Sequence, residues 1–508
     1  MSIDATASVH PISPLVYGVN SYNDVAATLS AINSPINRFG GNASTQYNWK
    51  VNATNRGSDW FFESTDEGSA NPGQAVLDMV NAGRQAGAQS MVTVPMLGWV
   101  AKQNGDRSKL SSFSLAKYGA QQASDSQWMA DAGNGVRADG TNITGNDPND
   151  ADVPADASFH QGLVQLLGQN FGNAASGGVR YYIMDNEHSL WQSSHRNVHP
   201  QGAGMDEVYS KLVSTASMVK SIDPSAQIVG PEEWGWTGYL YSGKDQQAGN
   251  ANDKLAHGGM DYMPWLLKQM KAYETANGKR LLDVFSLHFY PQGGENSDDT
   301  SIATQQRRNR STRALWDPSY VDETWINTPV QLIPRMKAWV QNYYPGTKIA
   351  LTEYDWGAVS HISGAIAQAD ILGILGREGV DIATRWGSLP IGSPVFKAFQ
   401  MYRNYDGVKS TFGETSVSAA VPNPDTLSAF AALRASDHAL TVMVINKDLS
   451  NTAPVSLKLA HFGTGSGTVQ RWQLTSANTI VQLGSVSYGR SAINDSVPPQ
   501  SITLYVVK

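Results

Sequence analysis

Carboxylates dominate the residues of this sequence that are placed to do chemistry. MDNEHSL, residues 184–190, sets Asp185, Asn186 and Glu187 directly after the strand-forming run VRYYI, and LTEYDWG, 351–357, brings Glu353 and Asp355 after another. GPEEWGW, 230–236, adds Glu232 and Glu233, and SLHFYPQGG, 286–294, adds His288 and Tyr290. The chain has no Cys, which removes thiol nucleophiles, thiolate metal sites and disulfides. This inventory favours reactions run by two carboxyl groups. In glycoside hydrolysis one protonates the leaving oxygen while the other acts opposite it.

Such groups need a frame that aims them at one point. Up to about residue 400, short β-branched or aromatic runs alternate with helix-patterned segments. Eight runs read as strands: 15–20, 35–41, 90–96, 179–187, 227–235, 283–291, 348–357 and 381–387. Eight β/α units predict a TIM-like (β/α)8 barrel of the α/β class, with the site where the strands end. No G-x-G-x-x-G follows an early strand, which disfavours a doubly wound dinucleotide fold. After residue 405, short alternating runs separated by Gly, Ser, Asn and Pro predict a second, all-β sandwich domain. The expected division is 13–404 for the barrel and 1–12 plus 405–508 for the sandwich. Two connections, 100–160 and 292–329, are too long for idle loops.

The strand ends then deliver Arg38 and Asn42 from the second strand, the 185–187 acids from the fourth, Glu232 and Glu233 from the fifth, and His288 and Tyr290 from the sixth. Glu353 and Asp355 come from the seventh, Arg385 and Trp386 from the eighth. Strands four and seven lie on opposite sides of an eight-stranded ring, so Glu187 and Glu353 can face each other across its mouth. Two like charges a few ångströms apart would push one pKa up and keep that carboxyl protonated as the acid. Asp185 and Glu187 share strand parity, so spacing alone does not choose between them.

The bulk numbers exclude other classes. Net charge is −7 with 41% hydrophobic and 16% charged residues, which argues against nucleic acid as a partner. No run approaches the roughly 18 apolar residues of a membrane span. His195 and His199, at i and i+4, lack an H-E-x-x-H context and read as structural. The N-terminal stretch has no basic start or apolar core of a signal peptide. The expectation is a secreted bacterial protein whose signal peptide is absent from this chain, and a monomer. The competing reading is a non-catalytic polysaccharide-binding protein on a degenerate barrel, but both Glu187 and Glu353 are present.

RFGGNASTQYNWKVNATNRGSDWFFES (38–64), MDNEHSLWQSSHRNVHP (184–200), GPEEWGW, SLHFYPQGG, RSTRALWDPSYVDETWI (310–326) and LTEYDWG, in that order, together resemble glycoside hydrolase family 44. The resemblance implies a retaining endo-β-1,4-glucanase, a cellulase-type enzyme often active on xyloglucan and sometimes on xylan. It implies a barrel joined to a sandwich built from both chain ends, with no cofactor required for the chemistry. It matches Glu187 to the general acid/base, Glu353 to the nucleophile and Asn186 to the Asn preceding the acid. Two departures stand out: His188-Ser189 where Pro-Ala is commoner, and Asp355 where Asn is commoner.

A glucan presents flat C–H faces that rest on indole rings, with hydroxyls free at the edges. Trp60, Trp316 and Trp386 are expected in the cleft. Asn42, Lys102, Asn186, Glu233, His288 and Tyr290 are expected around the sugar. GNDPNDAD, 145–152, offers Asp147, Asp150 and Asp152. With the calcium that the resemblance implies, these and a more distant Glu63 are expected to hold a structural Ca2+.

Overall fold

The computed structural model describes residues 1–463 and 465–508. Parallel strands close into a barrel in chain order: β1 (Gly18–Val19), β2 (Ile36–Phe39), β3 (Gln89–Val94), β4 (Tyr181–Met184), β5 (Gln227–Glu233), β6 (Val284–Phe289), β7 (Lys348–Tyr354) and β8 (Ile382–Arg385). β8 pairs with β1 to close the ring. Each strand is followed by a covering helix: α1 (Val25–Ala31), α2 (Gln74–Ala86), α3 (Ala157–Phe171), α4 (Met205–Ile222), α5 (Tyr262–Asn277), α6 (Leu332–Tyr343), α7 (Ile362–Arg377) and α8 (Pro394–Arg403). The strands are buried almost throughout, as parallel strands covered on both faces must be, which is why they read as continuous apolar runs. Ile36, Met91, Ile183, Val229, Val284, Ala350 and Ile382 fill the floor of the barrel. Polar side chains therefore concentrate above this plug, at the strand C-termini.

The C-terminal strands form a second unit: β9 (Thr415–Ala420), β10 (Leu427–Leu433), β11 (Leu440–Asn446), β12 (Ala453–Ala460), β13 (Gly467–Leu474), β14 (Val481–Tyr488), β15 (Ala492–Val497) and β16 (Ser501–Val507). Their order is β14-β13-β16-β11-β10-β9, then Ser2–Asp4, then β12-β15. The N-terminal strand pairs antiparallel with β9 and parallel with β12. β11 and β16 are buried at every position, not at alternate ones. Val442, Val444, Tyr505 and Val507 face the sandwich core, while Met443, Ile445, Leu504 and Val506 join the barrel's core. The sheet is thus a middle layer, with α7 and α8 on its other face. Contact there is close. A Cβ on Gly373 of α7 would sit 2.2 Å from the Phe430 ring.

The two long connections are folded. Trp99–Ala101 pairs with Asp152–Pro154, and Ala53–Asn55, Glu63–Asp66 and Leu110–Ser111 make a small sheet beside the mouth. The later connection carries the helix Ile302–Ser311. Its Arg308 is fully buried and donates to the carbonyls of Glu295 and Trp356.

Barrel and sandwich are also joined by a buried ion pair. Lys447 Nζ lies 2.6 Å from Asp370 of α7, with side chains 1% and 2% exposed. Removing one partner strands the other charge out of water, which costs about 3–5 kcal/mol. Lys447→Ala is expected to lower unfolding stability by that amount in denaturant titration. Lys447→Met combined with Asp370→Leu is expected to recover most of it. A single-variant loss under about 1 kcal/mol would contradict this account of the interface.

Candidate active site

Two β-bulges aim the carboxylates. In β5 the register to β6 shifts between Pro231 and Glu233, leaving Glu232 as the extra residue, with φ of 63°. Between β6 and β7 the register shifts so that Leu287 pairs with Leu351 but His288 with Glu353. A bulge turns a side chain off the strand's alternation, and here it lets Thr352 and Glu353 both serve the barrel mouth while Tyr354 packs outward on Gln368 of α7. β4 stops at Met184. Asp185 and Glu187 follow with left-handed backbones, φ 63° and 42°, so strand parity does not govern them and they part company.

Arg38 of β2 sits at the centre, 0% exposed. Its Nη1 donates to Glu353 Oε1 at 2.7 Å and to Asn20 Oδ1 at 3.1 Å. Nη2 donates to Asn186 Oδ1 at 2.9 Å and to Glu232 Oε2 at 2.8 Å, and Nε to the same oxygen at 3.1 Å. Tyr290 donates to Glu353 Oε2 at 2.8 Å. His288 Nδ1 meets Glu187 Oε1 at 2.9 Å, and its Nε2 meets Glu232 Oε2 at 3.2 Å. One oxygen each of Glu187 and Glu353 and a ring nitrogen of His288 lie within 4.8 Å of one another.

The electrostatics separate these groups. Burial raises the Glu187 carboxyl above its ordinary value, the nearby Glu353 charge raises it further, and the His288 contact opposes both. Burial would also raise Glu232, but Arg38 and His288 outweigh it and hold that carboxylate down to about 2. His288 is disfavoured as a cation by burial, yet the charge of Glu353 and its bonds to Glu187 and Glu232 push it up to about 10. The cluster therefore sets Glu187, a carboxyl raised above its ordinary value, beside two cations, Arg38 and His288, and the fixed anion Glu232.

Of the residues expected around the sugar, Asn42, Asn186, His288, Tyr290 and Trp386 gather here. Asn186 Nδ2 donates to Asn42 Oδ1 at 3.2 Å. The Trp386 ring lies 6.0 Å from the Arg38 guanidinium and is seated by Gly41, whose φ is 84° and whose missing Cβ would fall 2.2 Å from that ring. A crevice of about 680 Å³ opens beside Asn42, Asp59 and Trp386 and runs outward between α1 and α2.

Other expectations need correction. Asp185, left open beside Glu187, is fully buried and bound to Thr45 and the amides of Met96, Leu97 and Asn186, so it pins loops. Glu233 is also fully buried, taken up by the Ser189 amide and hydroxyl and the His188 ring, and does not reach a sugar. The unusual His188-Ser189 pair is what it holds. Lys102 is spent on the Asn149 carbonyl at 2.8 Å. Trp316 lies at the barrel–sandwich junction, with Arg377 stacked 4.2 Å from its ring. Trp325, nine residues on in the same motif, is the exposed one at 56%, its Nε1 3.4 Å from Gln292 just past β6. Trp60 stacks on Trp128, itself 62% exposed, with centroids 4.8 Å apart. Its neighbour Asp59 accepts from Asn42.

The four expected calcium ligands do not converge. Asp147 accepts from Asn149, and Asp150 is held by Lys117 and Tyr118. Asp152 is buried under Gln46, Asn55, Ser112 and Asn197, and burial pushes it up to about 8. Glu63 pairs with Lys109 at 3.1 Å. Asp150, Asp152 and Glu63 each found a protein partner from elsewhere in the chain, and Asp147 one two residues on. Among the described residues, the grouping close enough to share an ion is the Glu187–His288–Glu353 trio, whose donors are already bonded to protein groups.

Comparisons with known proteins agree with the geometry. The sequence profile of glycoside hydrolase family 44 matches residues 53–293. Endoglucanase A of Paenibacillus lautus is 32% identical over 98% of this chain and 71% of its own length. Beta-mannanase/endoglucanase A of Caldicellulosiruptor saccharolyticus is 33% identical over 90% of this chain, which spans only 35% of that protein. Among solved structures, CelM2, a bifunctional glucanase-xylanase from a metagenome library, superposes with a TM-score of 0.97 at 55% identity, covering 100% of this chain and 98% of that one. A family 44 xyloglucanase of Paenibacillus polymyxa gives 0.83 at 30% identity, covering 100% and 99%. With a barrel whose mouth carries two facing carboxylates, the chain belongs to glycoside hydrolase family 44 and is an enzyme of its endoglucanase and xyloglucanase class.

Proposed function

We propose that this enzyme cleaves β-1,4-glucan chains internally by double displacement, with Glu353 as nucleophile and Glu187 as general acid and then base. The observation that carries this reading is that Glu187 and Glu353 face each other at the mouth with one oxygen of each within 4.8 Å. Retaining glycosidases hold their carboxyl groups about 5–5.5 Å apart, whereas inverting ones need about 6.5–9.5 Å to admit a water. Glu353 attacks the anomeric carbon as the C–O bond to the departing sugar breaks and Glu187 delivers its proton to that oxygen. Water then attacks the glycosyl-enzyme, losing its proton to Glu187, and Glu353 leaves as carboxylate. Arg38 and Tyr290 hold separate oxygens of Glu353, so the nucleophile is oriented before substrate arrives. Asn186, fixed between Arg38 and Asn42, is the donor assigned to the sugar 2-hydroxyl.

Exposed indoles support internal cleavage of a long chain. The Trp60–Trp128 pair and Trp325 stand on separate loops beside the mouth, and Trp386 walls the crevice. Plain glucan and xyloglucan are the assigned substrates, with xylan a further one, in line with what the glucanase-xylanase and xyloglucanase relatives are described as cleaving. The proposal includes residues 13–404 as the catalytic unit, 1–12 with 405–508 as its support, and an extracellular, monomeric enzyme, since its substrate is a polymer outside cells.

Four outcomes test this. Glu187→Gln and Glu353→Gln are each expected to lower kcat on soluble β-1,4-glucan by at least about 10³-fold, equal to roughly 4 kcal/mol of barrel-mouth chemistry. Proton NMR of the wild-type reaction is expected to show the β-anomer first. Activity within tenfold of wild type, or the α-anomer first, would refute the assignment. Because burial and the nearby Glu353 charge raise the Glu187 carboxyl above its ordinary value, it keeps its proton to higher pH, so the alkaline limb of kcat/KM is expected above the ordinary glutamate range. Finally, Trp325→Ala and Trp386→Ala are expected to raise KM for long glucans about tenfold, or ~1.4 kcal/mol each, with a smaller effect of Trp325→Ala on short oligosaccharides.

A further inference from the structure

We propose that Glu232 is a positioning residue for this reaction: its buried carboxylate fixes Arg38 and His288 as the two cations that hold the nucleophile and the acid. The proposal rests on the assignment of Glu353 and Glu187 above. Glu232 is 0% exposed, so it does not touch a sugar. One oxygen, Oε2, takes Arg38 Nε and Nη2 at 3.1 and 2.8 Å and His288 Nε2 at 3.2 Å. That leaves Arg38 Nη1 for Glu353 Oε1 at 2.7 Å and His288 Nδ1 for Glu187 Oε1 at 2.9 Å. The other oxygen accepts from Thr352, the residue before the nucleophile, at 2.9 Å. The main chain adds a tie, since the Glu187 amide donates to the Glu232 carbonyl at 3.0 Å. A single carboxylate thus connects the acid, the nucleophile and both of their cationic partners.

Its charge matters as much as its reach. The roles assigned above require an ionised nucleophile and a protonated acid, so before reaction Arg38 and His288 balance Glu232 and Glu353. After the first displacement Glu353 is an ester and Glu187 has given up its proton, so the same cations face Glu232 and Glu187. The buried cluster is neutral in both states, and no net charge is stranded where solvation is poor. Without Glu232 it would carry an excess positive charge throughout, which favours ionised Glu187 and so leaves less of it holding the proton that the first step needs.

The other groups facing the cluster do not supply that anion. Tyr22 beyond β1 is pushed up to about 12, and Tyr239 and Tyr290 lie well above the ordinary tyrosine value, all chiefly by burial, so they are neutral at working pH. Asp59 after β2 accepts from Asn42, and Glu233 after β5 is taken by Ser189 and His188. Asp355 after β7 is paired with Arg385 at 2.8 Å.

The test is Glu232→Gln, with folding checked by circular dichroism and activity followed against pH. The expected result is a kcat at least tenfold lower and an alkaline limb of kcat/KM about one unit more acidic. Glu232→Asp, which keeps the charge but shortens its reach, is expected to return the limb towards wild type while kcat stays low. An unmoved or alkaline-shifted limb in Glu232→Gln, with or without lost thermal stability, overturns the proposal. If that variant does not fold, the wild type decides through histidine-selective ¹⁵N NMR, with His288 assigned by difference. His288 protonated on both ring nitrogens from pH 5 to 8 upholds the proposal, and a neutral ring at pH 6 overturns it. Glu187→Gln and Glu353→Gln are run in parallel. Activity retained there defeats the underlying assignment, whereas a limb unmoved only in Glu232→Gln defeats the positioning role.

Discussion

A guanidinium buried at the centre of a barrel must find a partner for each of its five N–H donors or lose several kcal/mol of solvation. Arg38 does so completely, through Asn20, Asn186, Glu232 and Glu353. Those acceptors arrive from β5, β7 and the ends of β1 and β4, so satisfying one side chain fixes the mutual placement of four chain segments. Its planar fork makes this possible. A lysine has a point charge with three donors and would leave acceptors unfilled. The fixed geometry of Glu353 and of Asn186 is therefore a consequence of neutralising Arg38.

Much of the frame was legible in the sequence, because parallel strands covered on both faces leave unbroken apolar runs, and each of the eight runs overlaps a barrel strand. The carboxylates that gather at the barrel mouth were legible as strand-end charges as well, since charge at the end of a buried strand needs a purpose. Period-two reasoning failed one step later. It treated Asp185 and Glu187 as equivalent, but the strand ends before both, and left-handed backbones send one into loop amides and the other to His288. It also gave no reason to single out Glu232 over Glu233, because only the bulge, invisible in composition, turns Glu232 inward.

Residues judged by type alone fared less well. Trp316 and Trp325 share one motif, and nothing in their spacing says that Arg377 and the sandwich cover the first. The acidic run at 147–152 looked like an ion site because its partners are remote: Lys117 and Tyr118 for Asp150, and Gln46, Asn55 and Asn197 for Asp152. Where neutralisation comes from sequence-distant side chains, a local acidic cluster carries no information about metal. Arg38 was visible at the end of its strand for the same reason that its role was not, since its ligands lie 18 to 315 positions away.

The sandwich bears on the site through α7, which leads on from β7, the strand that carries Glu353. Every residue of α7 from Ile362 to Gly376 is buried, because barrel lies on one side and the middle β-layer on the other. Gln368 of that helix holds the Tyr354 hydroxyl, next in sequence to Glu353, and Asp370 is clasped by Thr312 and Lys447. A surface helix of an ordinary barrel has a solvated face and some freedom to rock. This one has none, and the close seat of Gly373 on Phe430 leaves no room to gain it. The second domain can therefore steady Glu353 without contributing an atom to the barrel mouth, provided its packing against α7 stays dry and complete.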